Sequence, residues 1–172
     1  MLMSSQPIVD TMNVFDCIVQ RRSVRSYTDR KIPDEAVNRI LEAGRWAPSA
    51  GNRQPWSFIV IRDREILKKI AEHARYGSFI SEAPLAIAVV TDPSSDWHIV
   101  DGSGAVQNMA LAAWEMGIGT CWIGSLNRDE VKKILGVPEK LHLLTVLPFG
   151  YPARVGASNR KAMDAILHRD RW

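Results

Sequence analysis

Cysteine is scarce in this chain. The two it has, Cys17 and Cys121, are too far apart to form a CxxC pair, which excludes a disulfide scaffold and a thiolate metal cluster. They read as buried free thiols in a reducing, cytoplasmic compartment. Long hydrophobic runs are missing too. "APLAIAVV" falls well short of the roughly 18 residues of a membrane span, and "MLMSSQPIVDTMNV" has neither a basic n-region nor a long apolar run, so no signal peptide or anchor is expected there. Charge of one sign is not in large excess: 22 Lys and Arg face 19 Asp and Glu, for a net charge of +3. A nucleic-acid binder concentrates more basic charge on one face and interleaves it with aromatic residues, and neither pattern is present. His73, His98, His142 and His168 show no metal-ligand spacing, so no metal is expected. There is no GxSxG, no HExxH and no nucleophile beside an evident base. Binding groups without reactive ones point to a protein whose chemistry belongs to a cofactor.

What is there is an ordinary globular balance, 46% apolar and 24% charged over 172 residues. That is enough for one domain with a sizeable core, and no repeat or linker divides it. Periodicity predicts helices over 14–22, 33–48, 64–74, 102–117 and 127–136. In the first, Phe15, Ile18 and Val19 share a face. In the second, Asp34 is the expected cap, Val37, Ile40, Leu41 and Gly44 form the buried stripe, and Pro48 is the stop. The fifth has Asn127 as N-cap and Gly136 as C-terminal stop. Strands are expected over 56–62, 84–92, 118–124 and 141–151, the second buried on both faces. Two helices precede the first strand, so the order is not βαβ. The predicted class is α+β, a small and mostly antiparallel sheet flanked by helices. The polar, basic segment 152–172 has no clear stripe of its own and is expected to reach across to a partner.

Four stretches carry chemistry. "RRSVRSY" (21–27) gathers Arg21, Arg22, Ser23 and Arg25. Guanidinium forks and a hydroxyl suit phosphate oxygens, although a solvated helix end has the same composition. "APSAGNRQPW" (47–56) crowds small residues with side-chain amides, which offer donor and acceptor together, as the edge of a pyrimidinedione ring requires. An Asx-type turn between helix and strand is the alternative. "GSGAVQ" (102–107) has Gln107 where a dinucleotide fingerprint needs its third Gly or Ala, and no strand leads into it. It reads as a closely packed helix N-terminus. In "TCWIGSLN" (120–127), Gly124 either lets backbone approach a flat ligand or makes a plain strand-to-helix turn.

In order along nearly the whole chain, "RRSVRSY", "PSAGNRQPW", the Ala-rich helix, "GIGTCWIG", "LPFGYPA" followed by "NRK", and the closing "ILHRDRW" resemble the nitroreductase family of FMN-dependent oxidoreductases. The resemblance implies an intertwined homodimer with two FMN molecules at the interface. It assigns Arg21, Arg22, Ser23 and Arg25 to the first FMN-binding motif, with Arg21 and Arg160 on the phosphate, Lys161 beside them, and Arg25 near the pyrimidine edge. Pro48, Ser49, Ala50 and Asn52 match a loop supplied by the second subunit. Ile123 and Gly124 match the stretch lying against the flavin near N5. The implied activity is reduction of nitroaromatics, quinones or similar acceptors by NAD(P)H, each substrate stacking in turn on one flavin face in a ping-pong cycle. A flavin store or sensor without turnover, and relatives that use FMN for dehalogenation or ring oxidation, are the alternatives. The region 75–84 is short compared with larger members, so the pocket is expected to be open.

Overall fold

Six consecutive apolar residues from Leu85 to Val90 need cover on both sides, and the chain wraps helices over the sheet to supply it. The computed structural model describes residues 12–172. The expectation of no leader or anchor concerns mainly residues 1–11, outside the described residues. The helices are α1 (Val14–Gln20), α2 (Asp34–Arg45), α3 (Arg64–Glu72), α4 (His98–Glu115) and α5 (Arg128–Leu135). The strands are β1 (Trp56–Ile61), β2 (Leu85–Thr91), β3 (Gly119–Thr120) and β4 (His142–Gly150). They form one sheet in the order β1-β2-β4-β3, and every pairing is antiparallel. The architecture is α+β, as the element pattern predicts.

All seven residues of β2 are buried. Side chains alternate across a strand, and β2 follows the rule. Ala86, Ala88 and Val90 join a core with Leu67 and Ile70 of α3 and Val131 of α5. Leu85, Ile87 and Val89 join the other, with Val37 and Ile40 of α2 and Val106, Met109 and Ala113 of α4. Each fully buried aliphatic side chain contributes about 1.5–3 kcal/mol, so the two clusters hold the layers together. Gly44 brings α2 close to α4: a Cβ there would lie 2.8 Å from Met109 Cγ. In α5, Asn127 Oδ1 accepts from the Glu130 amide at 3.4 Å and Gly136 closes the helix in the left-handed region, φ 65°.

Several boundaries differ from the sequence reading. Asp34 does not cap α2; Pro33 holds that position, and Asp34 pairs with Arg62 at 2.6 Å instead. The same helix ends at Arg45, because Ala47, the residue before Pro48, is sterically driven out of the helical region. Helix α4 begins at His98, so Gly102 lies a full turn inside it rather than at its N-terminus. Close packing does hold there: a Cβ on Gly102 would come 2.7 Å from Thr91 Cγ2. The strand expected over 118–124 shrinks to Gly119–Thr120, paired with Gly150 and Phe149. The next residue in register would be Pro148, which has no amide hydrogen to donate. Finally, α1 is helical but Phe15, Ile18 and Val19 stay exposed, with Cys17 its buried residue.

Beyond Ala153 every residue is exposed. The start of this tail is nevertheless placed. Thr28 N–H donates to Tyr151 O at 2.9 Å, Ala153 N–H donates to Ser26 O at 3.0 Å, and Tyr27 bridges Pro152.

Val24 sits over Gly119, where a Cβ would lie 2.4 Å from Val24 Cγ2 and 2.7 Å from Val24 Cβ. A β-branched side chain cannot move aside by rotating. Gly119→Ala should therefore destabilise the fold by about 1–3 kcal/mol, the scale of core overpacking, read as a lower urea midpoint; an unchanged midpoint would contradict this contact.

Candidate functional site

Arg21 caps the C-terminal end of helix α1, and its amide donates to Cys17 O at 2.9 Å. The chain then turns extended and runs beside the sheet edge. Ser23 bridges Thr120 in parallel, and Val24 N–H donates to Thr120 O at 3.0 Å. Val24 is buried while Ser23 and Arg25 are exposed, the alternation of a one-sided strand. Arg21, Arg22, Ser23 and Arg25 line a cavity of about 270 Å³ together with Gly156, Ala157, Ser158 and Arg160. The sequence-predicted cluster and Arg160 therefore come together across 135 residues of chain (160 − 25). Lys161 follows Arg160 but is not among the lining residues.

This cavity has four guanidinium groups and no carboxylate in its lining. None of the four arginines takes part in an ion pair among the described residues. Arg22 donates to Val19 O at 2.7 Å, and Arg160 donates to Asn159 O at 2.8 Å and to Ser158 Oγ. Four fixed positive charges this close repel one another unless an anion joins them, and arginine forks match phosphate oxygens bidentately. The donor set thus fits a phosphate-bearing group. Its field extends to the sheet edge. Burial pushes the Cys121 thiol up, while the charges of Arg25 and Arg21 pull the other way.

Two residues further on lie Ile123 and Gly124. Ile123 is buried, and its carbonyl accepts from Thr145 Oγ1 at 3.1 Å. Gly124 is exposed, with no atom within 4 Å of where a Cβ would stand. The carbonyl is fixed from behind, and the glycine backbone is open to a flat ligand in front.

The loop of Pro48, Ser49, Ala50 and Asn52 is not among the residues lining the arginine cavity. It is a 3-10 turn at Ala50–Asn52 with an unusual backbone. Gly51, Asn52 and Gln54 all have positive φ, at 59°, 54° and 51°. For Asn52 and Gln54 such a conformation costs on the order of 1–3 kcal/mol each and persists only where surroundings enforce it. Gln54 N–H donates to Ser49 Oγ at 2.9 Å. Ala50 N–H donates to both oxygens of Asp101, at 3.2 and 3.3 Å. Sequence reasoning missed Asp101 and Ser158. The one available signal for Asp101 was an acid inside an otherwise Ala- and Met-rich helix.

Known proteins resemble this chain along most of its length. The nitroreductase family model matches residues 18–92 and 72–151. A protein of Archaeoglobus fulgidus provisionally named NADH dehydrogenase/NAD(P)H nitroreductase is 42% identical over 90% of this chain and 96% of its own length. The FMN reductase [NAD(P)H] of Bacillus subtilis is 29% identical over 92% of this chain and 74% of its own length. A crystal structure from Desulfovibrio desulfuricans, described as a provisional nitroreductase in complex with FMN, superposes with a TM-score of 0.83 at 35% identity, covering 98% of this chain and 99% of that one. This chain belongs to the nitroreductase family.

The arginines, which form no ion pair among the described residues, make a direct prediction. Millimolar inorganic phosphate should raise the melting temperature of the unliganded protein, since binding to the folded state alone adds stability. Arg21→Ala and Arg160→Ala should each reduce that rise in a thermal melt. Equal rises in all three proteins would place the anion elsewhere.

Proposed function

We propose that the protein is an FMN-dependent NAD(P)H oxidoreductase that reduces nitroaromatics, quinones or similar acceptors by a ping-pong route. The carrying observation is the acid-free cavity of four arginines, whose Ser23 bridges Thr120 on the segment that leads to the open backbone of Gly124. One end takes a terminal phosphate and the other takes a flat ring. Arg21 and Arg160 hold the phosphate, with Arg22, Ser23 and Lys161 near it. Ile123 and Gly124 lie under the ring. When bound, FMN supplies the redox chemistry, taking reducing equivalents from NAD(P)H and passing them to the acceptor. Arg25 brings a guanidinium, a cation by its nature. It therefore lends the site a permanent positive charge that favours the electron-rich form of whatever ring is bound. The absence of a protein-borne nucleophile or paired acid and base fits a site that binds and orients while the cofactor reacts.

The working unit in this reading is a homodimer in which Pro48, Ser49, Ala50 and Asn52 complete the partner's site and residues 152–172 wrap the partner. Exposed apolar side chains support it. Val14, Phe15, Ile18 and Val19 on α1, and Met163, Ile166, Leu167 and Trp172 in the tail, all face solvent, the kind of exposed apolar grouping that serves an interaction surface. That the loop's residues do not line the arginine cavity supports it also. No helix among the described residues is long and apolar enough to cross a membrane. With both cysteines free and buried, the cytoplasm is the compartment we assign.

Heat-released chromophore from the yellow protein should be FMN by mass spectrometry. NADH or NADPH should bleach the bound flavin without any acceptor, and double-reciprocal plots with menadione should be parallel. Recovery of FAD, or of no flavin after incubation with FMN, would refute the cofactor. Intersecting lines without bleaching would leave a flavin store or sensor. The shared site has its own test. Arg25→Ala and Asn52→Ala homodimers, each nearly inactive, should regain activity when unfolded, mixed and refolded. Half of the dimers are then mixed, and each mixed dimer has one intact site, so about a quarter of sites recover. No recovery, with mixed dimers verified by native mass spectrometry, would rule out sharing.

A further inference from the structure

We propose that Asp101 is a positioning residue that holds the loop 48–52 in its flavin-receiving conformation; this rests on the function proposed above. Asp101 stands in the first turn of α4 and is only 7% exposed, the one charged side chain among the buried polar residues of the described chain. No Lys or Arg pairs with it among the described residues. A buried carboxylate without a cation is costly unless hydrogen bonds meet it. Here the compensation comes from the amino-terminal end of the α4 dipole and from the Ala50 N–H, which reaches both carboxylate oxygens.

That bond is singular for the loop. Every other hydrogen bond of residues 48–54 among the described residues stays within the segment: Asn52 N–H to Ser49 O, Arg53 N–H to Ala50 O, Gln54 N–H to Ser49 Oγ, and Gln54 Nε2 to Asn52. Local bonds can shape a turn but cannot fix where it stands. The loop also holds the non-glycine residues Asn52 and Gln54 at positive φ, a conformation that surroundings must enforce. The Asp101 tether joins it to α4, which packs on the sheet. Asp101 thus sets the placement of Ser49, Ala50 and Asn52 without itself touching the ligand.

Hydrogen exchange of the unliganded protein tests the anchor directly. In the wild type, the Ala50 amide should exchange at least about tenfold more slowly than the Gly51 amide, which donates to no acceptor among the described residues, a gap set by a bond to a charged acceptor. Asp101→Ala should abolish that difference and expose the Arg53 peptide bond to trypsin while amides of β2 stay protected. Asp101→Asn keeps an acceptor and should keep most of the protection. In a titration of the same proteins with FMN, Asp101→Ala should raise the dissociation constant about tenfold or more, and Asp101→Asn should stay within about threefold, the difference expected for a charge-assisted hydrogen bond. Equal exchange at Ala50 and Gly51 in the wild type overturns the anchor with no variant needed. A loosened loop with unchanged FMN affinity overturns the positioning role. Failure of the wild type to bind FMN refutes the proposed function instead, and leaves the exchange data to decide the anchor.

Discussion

The arginine segment reaches its place through one close approach, Val24 over Gly119. The methyl groups of Val24 occupy the space that a side chain at position 119 would need, and the Val24 amide bonds the Thr120 carbonyl beside it. This contact seats residues 23–25 along the sheet edge with Val24 inward, so Ser23 and Arg25 face outward. The neighbouring backbone then carries the pattern onward. Ser26 and Thr28 bond the chain on either side of Pro152, which starts the tail on a course that brings Arg160 to the same cavity. Without a glycine at 119 the segment would stand off from the sheet, and the four guanidinium groups would lose their common focus.

The sheet sets the other half of the geometry. Because Pro148 offers no amide hydrogen, β3 stops after two residues, and the chain from Cys121 onward leaves the ladder. Thr145 then ties the Ile123 carbonyl to β4 from behind. A full strand over 118–124 would engage the backbone of Gly124 in sheet bonding. The truncated one leaves it open, and that opening is what makes the position suitable for a flat ring.

Local signals carried much of this. The stripe of Val37, Ile40 and Gly44, the Asn127 cap, the Gly136 stop and the apolar run of β2 were legible because each depends on neighbours within a turn or on residues consecutive along the chain. What was not legible depended on partners far along the chain. Nothing near residue 121 announces Pro148, and nothing near Ala50 announces Asp101. Asp34 looked like a cap, but Arg62 competes for its carboxylate and Pro33 takes the cap position. The start of α4 was hidden by the polar "SSDW", although His98 is anchored there by Thr91 at 2.8 Å. The arginine and serine cluster could be picked out because guanidinium forks and hydroxyls suit phosphate oxygens, and the structure gathers it with Arg160 in one cavity; Asp101 is a lone acid, and a lone acid has many uses.

The apolar face of α1 shows the same limit from the packing side. A period of 3.6 tells which residues share a face, not what covers it. Phe15, Ile18 and Val19 have the spacing of a core stripe yet remain exposed, while the tail that also exposes Ile166, Leu167 and Trp172 has almost no helix of its own. Two apolar surfaces that a single chain cannot bring together are an energetic cost to that chain alone, at about 25 cal/mol for each Å² left in water. In the homodimer proposed above, a second copy would remove the cost for both at once, because a two-fold arrangement would give each chain the other's tail and loop. On that view the arginine cavity and the strained loop are two halves of one site that a single polypeptide builds on separate surfaces, and completing the site and covering the apolar residues become one event.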